Sequence, residues 1–173
     1  MICHFGLRLF HILVPRGSVL ALVALSRFMQ ELLKRMLTEL DTAYFKPNGF
    51  TKKRQRFRRE VDSVMQEVEF EASQWNSSGG PVKFYVNISI GFSDIPMKDG
   101  KPALTGMGRI HRIASGAPAQ FDLTPVNNDS IRSQLLALLP QALSELPKHY
   151  EDVRGQAKTG WHTPIPVPDK WRA

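Results

Sequence analysis

The segment from Val82 to Phe92 constrains the fold more than any other part of the chain. Apolar residues occupy every second position in it: Phe84, Val86, Ile88, Ile90 and Phe92. Successive side chains of a strand point to opposite faces of a sheet, so this alternation predicts a strand with one packed face and one polar face. Strands of this kind are typical of antiparallel sheets, in which one face covers the core and the other is open.

Two earlier strands are predicted over residues 50–60 and 63–75, joined by a hairpin that turns near Val61 and Asp62. Cations recur on one face of the first strand and acids on one face of the second. The matched two-residue period predicts that the cations and acids face each other across the hairpin. The expected pairs are Arg56 with Glu67, Arg54 with Glu69 and Lys52 with Glu71. A Gly- and Pro-rich turn, residues 76–81, leads into the third strand.

Two helices flank these strands. Residues 29–44 carry apolar side chains at three- and four-residue steps, and Lys46-Pro-Asn-Gly49 predicts the end of that helix. A second helix begins at Asp129 or Ser130, and Pro140 kinks or divides it. Weaker strands over 107–113 and 119–123 extend the sheet. The sequence thus predicts an α+β fold: an antiparallel meander of four to six strands, with an N-terminal and a C-terminal helix packed on one face.

The chain divides into three parts by composition. Residues 1–28 contain no acid and many apolar residues, residues 29–147 read as one α+β domain, and residues 148–173 form a polar, proline-rich C-terminal tail. Three origins are open for the first part: translated upstream sequence, a remnant of an expression vector, or a weak secretory signal. Leu13–Ser18 spells a thrombin linker, so we interpret Met29 as the working start. Pro15 and Arg16 interrupt the apolar run, so no membrane span is expected.

The composition excludes several kinds of site. The single cysteine, Cys3, lies in the leader, which excludes an internal disulfide and a multi-cysteine zinc site. No histidine of the domain has a second ligand at a recognised metal spacing, and no nucleophile elbow or phosphate-binding loop is present. We therefore predict no catalytic residue, no metal and no cofactor, and the cysteine usage indicates a cytoplasmic protein.

Several segments carry a family resemblance. They are Gly49-Phe50, Phe70-Glu-Ala-Ser73-Gln-Trp75, Lys83-Phe-Tyr-Val-Asn-Ile-Ser-Ile90, Gly108-Arg109-Ile110 and Phe121-Asp-Leu123. In this order and at these spacings the chain resembles the bacterial family catalogued as domain of unknown function 4304. It departs from the usual pattern at Glu71 and Ala72, where that family shows a glutamine and a lysine, and it lacks a tryptophan pair near Phe121. The resemblance implies a soluble α+β domain and no particular reaction.

The predicted open face of the sheet is the candidate binding surface. Its residues are Arg54, Arg56, Arg58, Glu67, Glu69, Glu71, Tyr85 and Asn87. The exposed alternation of charge and the lack of catalytic motifs favour a non-catalytic protein-binding module, and some small domains of this kind resemble immunity proteins that neutralise a toxin. Nucleic-acid binding through the basic strand 52–59 is the alternative, and an unrecognised enzyme is the third hypothesis.

Overall fold

A computed structural model describes residues 30–76, 80–96, 102–157 and 163–164. The described residues form one sheet of seven strands, covered on one face by helices. The strands are β1 (Thr51–Lys53), β2 (Arg56–Val61), β3 (Val64–Ala72), β4 (Val82–Pro96), β5 (Pro102–Arg109), β6 (Phe121–Leu123) and β7 (Thr163–Pro164).

The strand order is β1-β2-β3-β4-β5-β7, and β6 pairs with β4. Strands β1 to β6 pair antiparallel, which confirms the predicted meander, while the two-residue β7 lies parallel to β5. The long strand β4 is central, because β3 pairs along one side of it and both β5 and β6 pair along the other. The strand predicted over 107–113 ends at Arg109, where a short 3-10 turn, Ile110–Arg112, begins.

The predicted strand over residues 50–60 is wrong, because the chain reverses within it. Strands β1 and β2 form a tight hairpin, in which Lys53 pairs with Arg56 and Arg54 and Gln55 form the turn. Arg54 has a φ of +58° there. A positive φ at the first of two turn residues is the pattern of a type II′ turn, which fits the twist of a hairpin.

The predicted register of the next hairpin is also wrong, by two residues. Arg56 pairs with Glu69 and Arg58 pairs with Glu67, because the turn lies at Asp62 and Ser63 rather than at Val61 and Asp62. Both turn residues have positive φ, +50° and +66°, as in a type I′ turn. A shift of two residues keeps each side chain on its predicted face.

The helices cover the opposite face of the sheet. Helix α1 is described over residues 30–40 and continues through a π-helical turn, Asp41–Phe45, and a 3-10 turn, Lys46–Asn48. Gly49 ends it in the left-handed conformation, at a φ of 78°. Helix α2, Asn128–Glu145, includes Pro140 without being divided by it. After a 3-10 turn, Leu146–His149, the chain forms helix α3, Tyr150–Ala157, within the segment that the sequence assigns to the tail.

One core lies between the helices and the sheet. At its centre the ring of Phe45 stacks on Phe57 with a centroid distance of 3.8 Å, and Phe50 and Phe70 meet Phe45 edge-on. Helix α3 contributes to the same core through Val153 and Ala157, both buried. Because Phe57 points into this core, its neighbours Arg56 and Arg58 lie on the opposite face, where the candidate binding surface is found.

Candidate binding surface

The face of the sheet opposite the helices, here called the charged face, brings together seven of the eight predicted site residues. Strand β2 contributes Arg56 and Arg58, strand β3 contributes Glu67, Glu69 and Glu71, and strand β4 contributes Tyr85 and Asn87. They share a face because each is in register with, or two residues from, another member of the set. The eighth residue, Arg54, lies in the β1–β2 turn at the edge of this face, not on the strand where it was predicted.

Arg58 and Glu67 form the most buried ion pair of the charged face. Both Nε and Nη2 of Arg58 donate to Oε2 of Glu67, at 3.0 and 2.7 Å. The Glu67 side chain is only 5% exposed, whereas that of Arg58 is 49% exposed. A carboxylate so far from water needs a charged partner, so Arg58 is held in place by Glu67.

Arg56 and Glu69 form a second pair beside the first. Nε of Arg56 donates to Oε1 of Glu69 at 2.7 Å, and Nη2 lies 2.6 Å from the same oxygen. The hydrogen bond to Glu69 raises the pKa of Arg56 above its ordinary value, and the charges of Glu69 and Glu67 add to that effect. Since Arg56 is exposed, this pair stabilises the fold little, by about 0.2 to 1 kcal/mol for pairs of this kind.

The third predicted ion pair does not form. Glu71 accepts a hydrogen bond from Nδ2 of the buried Asn87 at 2.8 Å. Lys52 is in register with Phe57 and lies on the helix side, where its Nζ approaches Oγ1 of Thr38 at 3.4 Å. Because the chain turns at Arg54, Lys52 lies on the opposite face of the sheet from the one predicted. The charged face therefore carries two cation–acid pairs, Arg56–Glu69 and Arg58–Glu67, and one amide–acid pair, Asn87–Glu71.

Tyr85 is half-buried beneath an arginine. The guanidinium of Arg109 lies 4.0 Å from the centre of its ring, and its hydroxyl donates to Oε1 of Gln120 at 3.1 Å. Tyr85 therefore packs against an arginine side chain from the neighbouring strand β5. Trp75 is 78% exposed. Arg109 was not among the predicted site residues, because nothing in the sequence shows that β5 pairs with β4 at Asn87.

The β1–β2 turn leaves two cations without acids. Lys53 and Arg54, here called the basic tip, are exposed and make no ion pair within the described part of the chain. A cleft of about 870 Å³ runs from this tip along Arg56 and Arg58 to the two glutamates. Lys53 belongs to the basic strand predicted over 52–59 but not to the predicted surface residues, because in one continuous strand it would point away from Arg54 and Arg56. The turn after Lys53 places it in register with Arg56, on the charged face.

Among the described residues no three histidine, cysteine, aspartate or glutamate side chains lie close enough to hold a metal ion. The pKa of His111, in the turn after β5, is lowered by burial and then by the charges of Arg112 and Arg109. Within the described ranges, no helix is both long enough and apolar enough to cross a bilayer.

The fold and its charged face define a small α+β domain with a mixed-charge sheet surface. The family model described as domain of unknown function (DUF4304) matches residues 42–145, and the chain belongs to this family. The match runs from the turn after α1 through β1 to β6 to the end of α2, so it contains the whole charged face. No curated protein and no solved structure matches the chain.

Proposed function

We propose that this protein is a non-catalytic binding module that contacts an acidic surface of another protein through its charged face. The observation that carries this proposal is the division of the cations on that face. Arg56 and Arg58 are held by Glu69 and Glu67, whereas Lys53 and Arg54, at one end of the face, have no acid partner among the residues that the structure describes.

Such a division suits protein recognition. The paired arginines are already fixed in the free protein, so binding orders few further side chains, and arginine is enriched in protein interfaces. The unpaired charges of the basic tip attract an acidic partner and orient it. The two glutamates repel an acid placed opposite them, so the charges of this face favour one orientation of the bound partner.

Toxin neutralisation is the form of binding that we favour within this class. A protein that only covers the working surface of a toxin needs recognition groups and no catalytic group. The absence of cysteine from residues 29–173 supports placing this activity in the cytoplasm.

Nucleic-acid binding is the second candidate, favoured by the basic tip and by the neighbouring Lys52. Arg59 of the same basic run also has no acid partner in the described ranges, but it is held by neutral groups, since its Nε donates to Oε1 of Gln66 and its Nη1 to the backbone oxygen of Asn48. Three phosphate contacts give a slope of about −3 in a plot of log affinity against log salt. The glutamates beside Arg56 and Arg58 repel phosphates, so we place this candidate below protein binding.

Comparative capture from a lysate of the source cells tests the proposal. The wild type is compared with the tip variant, Lys53→Gln/Arg54→Gly, and with a control variant, Lys46→Gln/Arg112→Gln, which removes two exposed cations elsewhere. We expect one protein partner at near-stoichiometric yield that resists nuclease, is lost from the tip variant and is kept by the control. Loss of the partner after nuclease treatment would instead support the second candidate. Equal retention by the tip variant, or an empty column, would contradict the proposal.

A further inference from the structure

A groove on the helix side of the sheet meets the charged face only at the β1–β2 turn, where Arg54 and Gln55 line both. Helix α1 forms one wall, the β1–β2 turn forms the second, and the adjoining ends of β3 and β4 form the third. Its volume is about 850 Å³. This lies within the range of about 300 to 1,000 Å³ that is usual for small-molecule sites.

The inner wall of the groove is apolar. Leu33 and Leu37 line it from α1, and Val82 lines it from β4. Ala72 completes this wall at the last position of β3, in register with the core residue Phe84. The alternation of β3 directs Ala72 toward the helix side, yet Ala72 is exposed, because a methyl group fills far less space than the ring of Phe70 two residues earlier.

The rim of the groove is positively charged. Lys34, Lys52 and Arg54 line it, and Glu31 is the one acid among its lining residues. Lys34 lies 3.4 Å from Glu31, and both side chains are largely exposed. Lys52 has only the neutral hydroxyl of Thr38 as a hydrogen-bond partner in the described ranges, and Arg54 has none there.

Two neutral polar side chains of the rim, Ser73 and Asn76, are already engaged. Oγ of Ser73 accepts the backbone N–H of Trp75, and the side-chain amide of Asn76 makes two hydrogen bonds with the backbone of Lys83. These bonds hold the far wall in place, and the cations Lys52 and Arg54 supply the charge that an anionic ligand needs. Lys52 is itself positioned by its contact with the ring of Phe57, at 5.5 Å from the ring centre.

We propose that this groove binds a free organic carboxylate with an apolar body. Its carboxylate lies between Lys52 and Arg54, and its apolar part covers Ala72 and the wall formed by Leu37 and Val82. The charge of the rim selects an anion over a cation. The apolar inner wall, of which Ala72 is the exposed part and Leu37 and Val82 are largely buried, selects an anion with a hydrocarbon part over a small hydrophilic one. This site goes beyond the proposed protein-binding function: it lies on the other side of the sheet and shares only Arg54 with the basic tip.

Titration calorimetry with the full chain tests this proposal, with decanoate as the probe. Decyltrimethylammonium, which has the same tail with a cationic head, and acetate, which has the head without the tail, are the comparison ligands. We expect decanoate to bind in a 1:1 ratio, at least tenfold more tightly than either. Equal binding of the ammonium compound, or no heat of binding from decanoate, would overturn the proposal.

Two variants locate the site. Ala72→Phe fills the floor and Lys52→Gln removes a rim charge, and each should weaken decanoate binding at least tenfold. The matched controls, Ala43→Phe and Lys46→Gln, change exposed residues outside the groove and should leave the affinity for decanoate unchanged. Decanoate binding that survives Ala72→Phe would place the ligand elsewhere and refute the assignment.

Amide shifts in NMR spectra provide a second measurement that does not depend on the variants. Decanoate should move the signals of Lys52, Ala72 and Val82, and shifts confined to other residues would contradict the site. A protein partner captured equally by the wild type and by Ala72→Phe shows that the protein-binding function stands apart from this groove. An acidic peptide that binds here in place of decanoate would reject the small-molecule assignment.

Discussion

Arg58 covers the carboxylate of Glu67 with two hydrogen bonds to one oxygen, and this pair fixes the centre of the charged face. The neighbouring pair, Arg56 with Glu69, has similar geometry in a more exposed setting. The two pairs therefore offer a matched comparison of the same interaction at two degrees of burial.

We predict that Arg58→Met lowers the free energy of unfolding by about 2 kcal/mol, because it leaves the buried carboxylate of Glu67 without a partner. Arg56→Met should lower it by less than about 1 kcal/mol, as is usual for an exposed pair. Urea denaturation of both variants measures the difference. Equal losses would show that the burial of Glu67 does not govern the strength of its ion pair.

Arg54 occupies a turn position with a φ of +58°, which favours glycine. We predict that Arg54→Gly raises the free energy of unfolding by about 1 kcal/mol, since it relieves this conformation. The same variant should weaken partner binding, because it removes a cation of the basic tip. Gly49→Ala, at a φ of +78°, should act in the opposite sense and destabilise the protein. Thermal unfolding checks both, and a loss of stability in Arg54→Gly would contradict the prediction.

Helix α3 belongs to the core through Val153, which is fully buried. We predict that Val153→Ala lowers the free energy of unfolding by about 2 kcal/mol, through lost apolar burial and the cavity left behind. Val126→Ala is the control, because Val126 is 97% exposed and its substitution should change stability by less than about 0.5 kcal/mol. If chemical denaturation found Val153→Ala as harmless as the control, α3 would contribute little to the core.

The pKa of His111 is lowered from its ordinary value of 6.5, chiefly by burial. Below pH 6.5 the unfolded chain therefore binds more protons at His111 than the folded chain does. The contribution of His111 to stability is present above pH 6.5 and is lost as the pH falls through the lower pKa of the folded state. We predict that His111→Gln loses less stability than the wild type between pH 7.5 and pH 5. Denaturation curves at the two pH values measure this, and identical losses would exclude the role of His111.

The sequence predicts most of the architecture, because the apolar alternation of Val82 to Phe92 and the helical spacing around Leu33 and Leu37 directly reflect burial. It did not predict the turn at Arg54. Arginine carries no turn signal, and the positive φ there is imposed by the pairing of Lys53 with Arg56. The same turn explains why Lys52 lies on the helix side and why Glu71 pairs with Asn87 instead.

The register of the second hairpin, between β2 and β3, also could not be predicted from the sequence pattern. The two-residue alternation of side chains places Arg56 and Arg58 on the same face as the glutamates. A register shift of two residues leaves every side chain on the same face, so the alternation cannot decide whether Glu67 or Glu69 pairs with Arg56. The contact of Arg109 with Tyr85 depends on the pairing of β5 with β4, which is a long-range feature of the fold.

The most direct test of the central claim is the amount of protein partner captured by the tip variant, relative to the control variant, after nuclease treatment. Both variants lose two exposed cations, so non-specific charge effects cancel in the ratio. The proposed function predicts that the tip variant retains less than about a tenth of the partner that the control retains, equivalent to about 1.4 kcal/mol of binding free energy. A ratio near one would contradict recognition through the basic tip of the charged face.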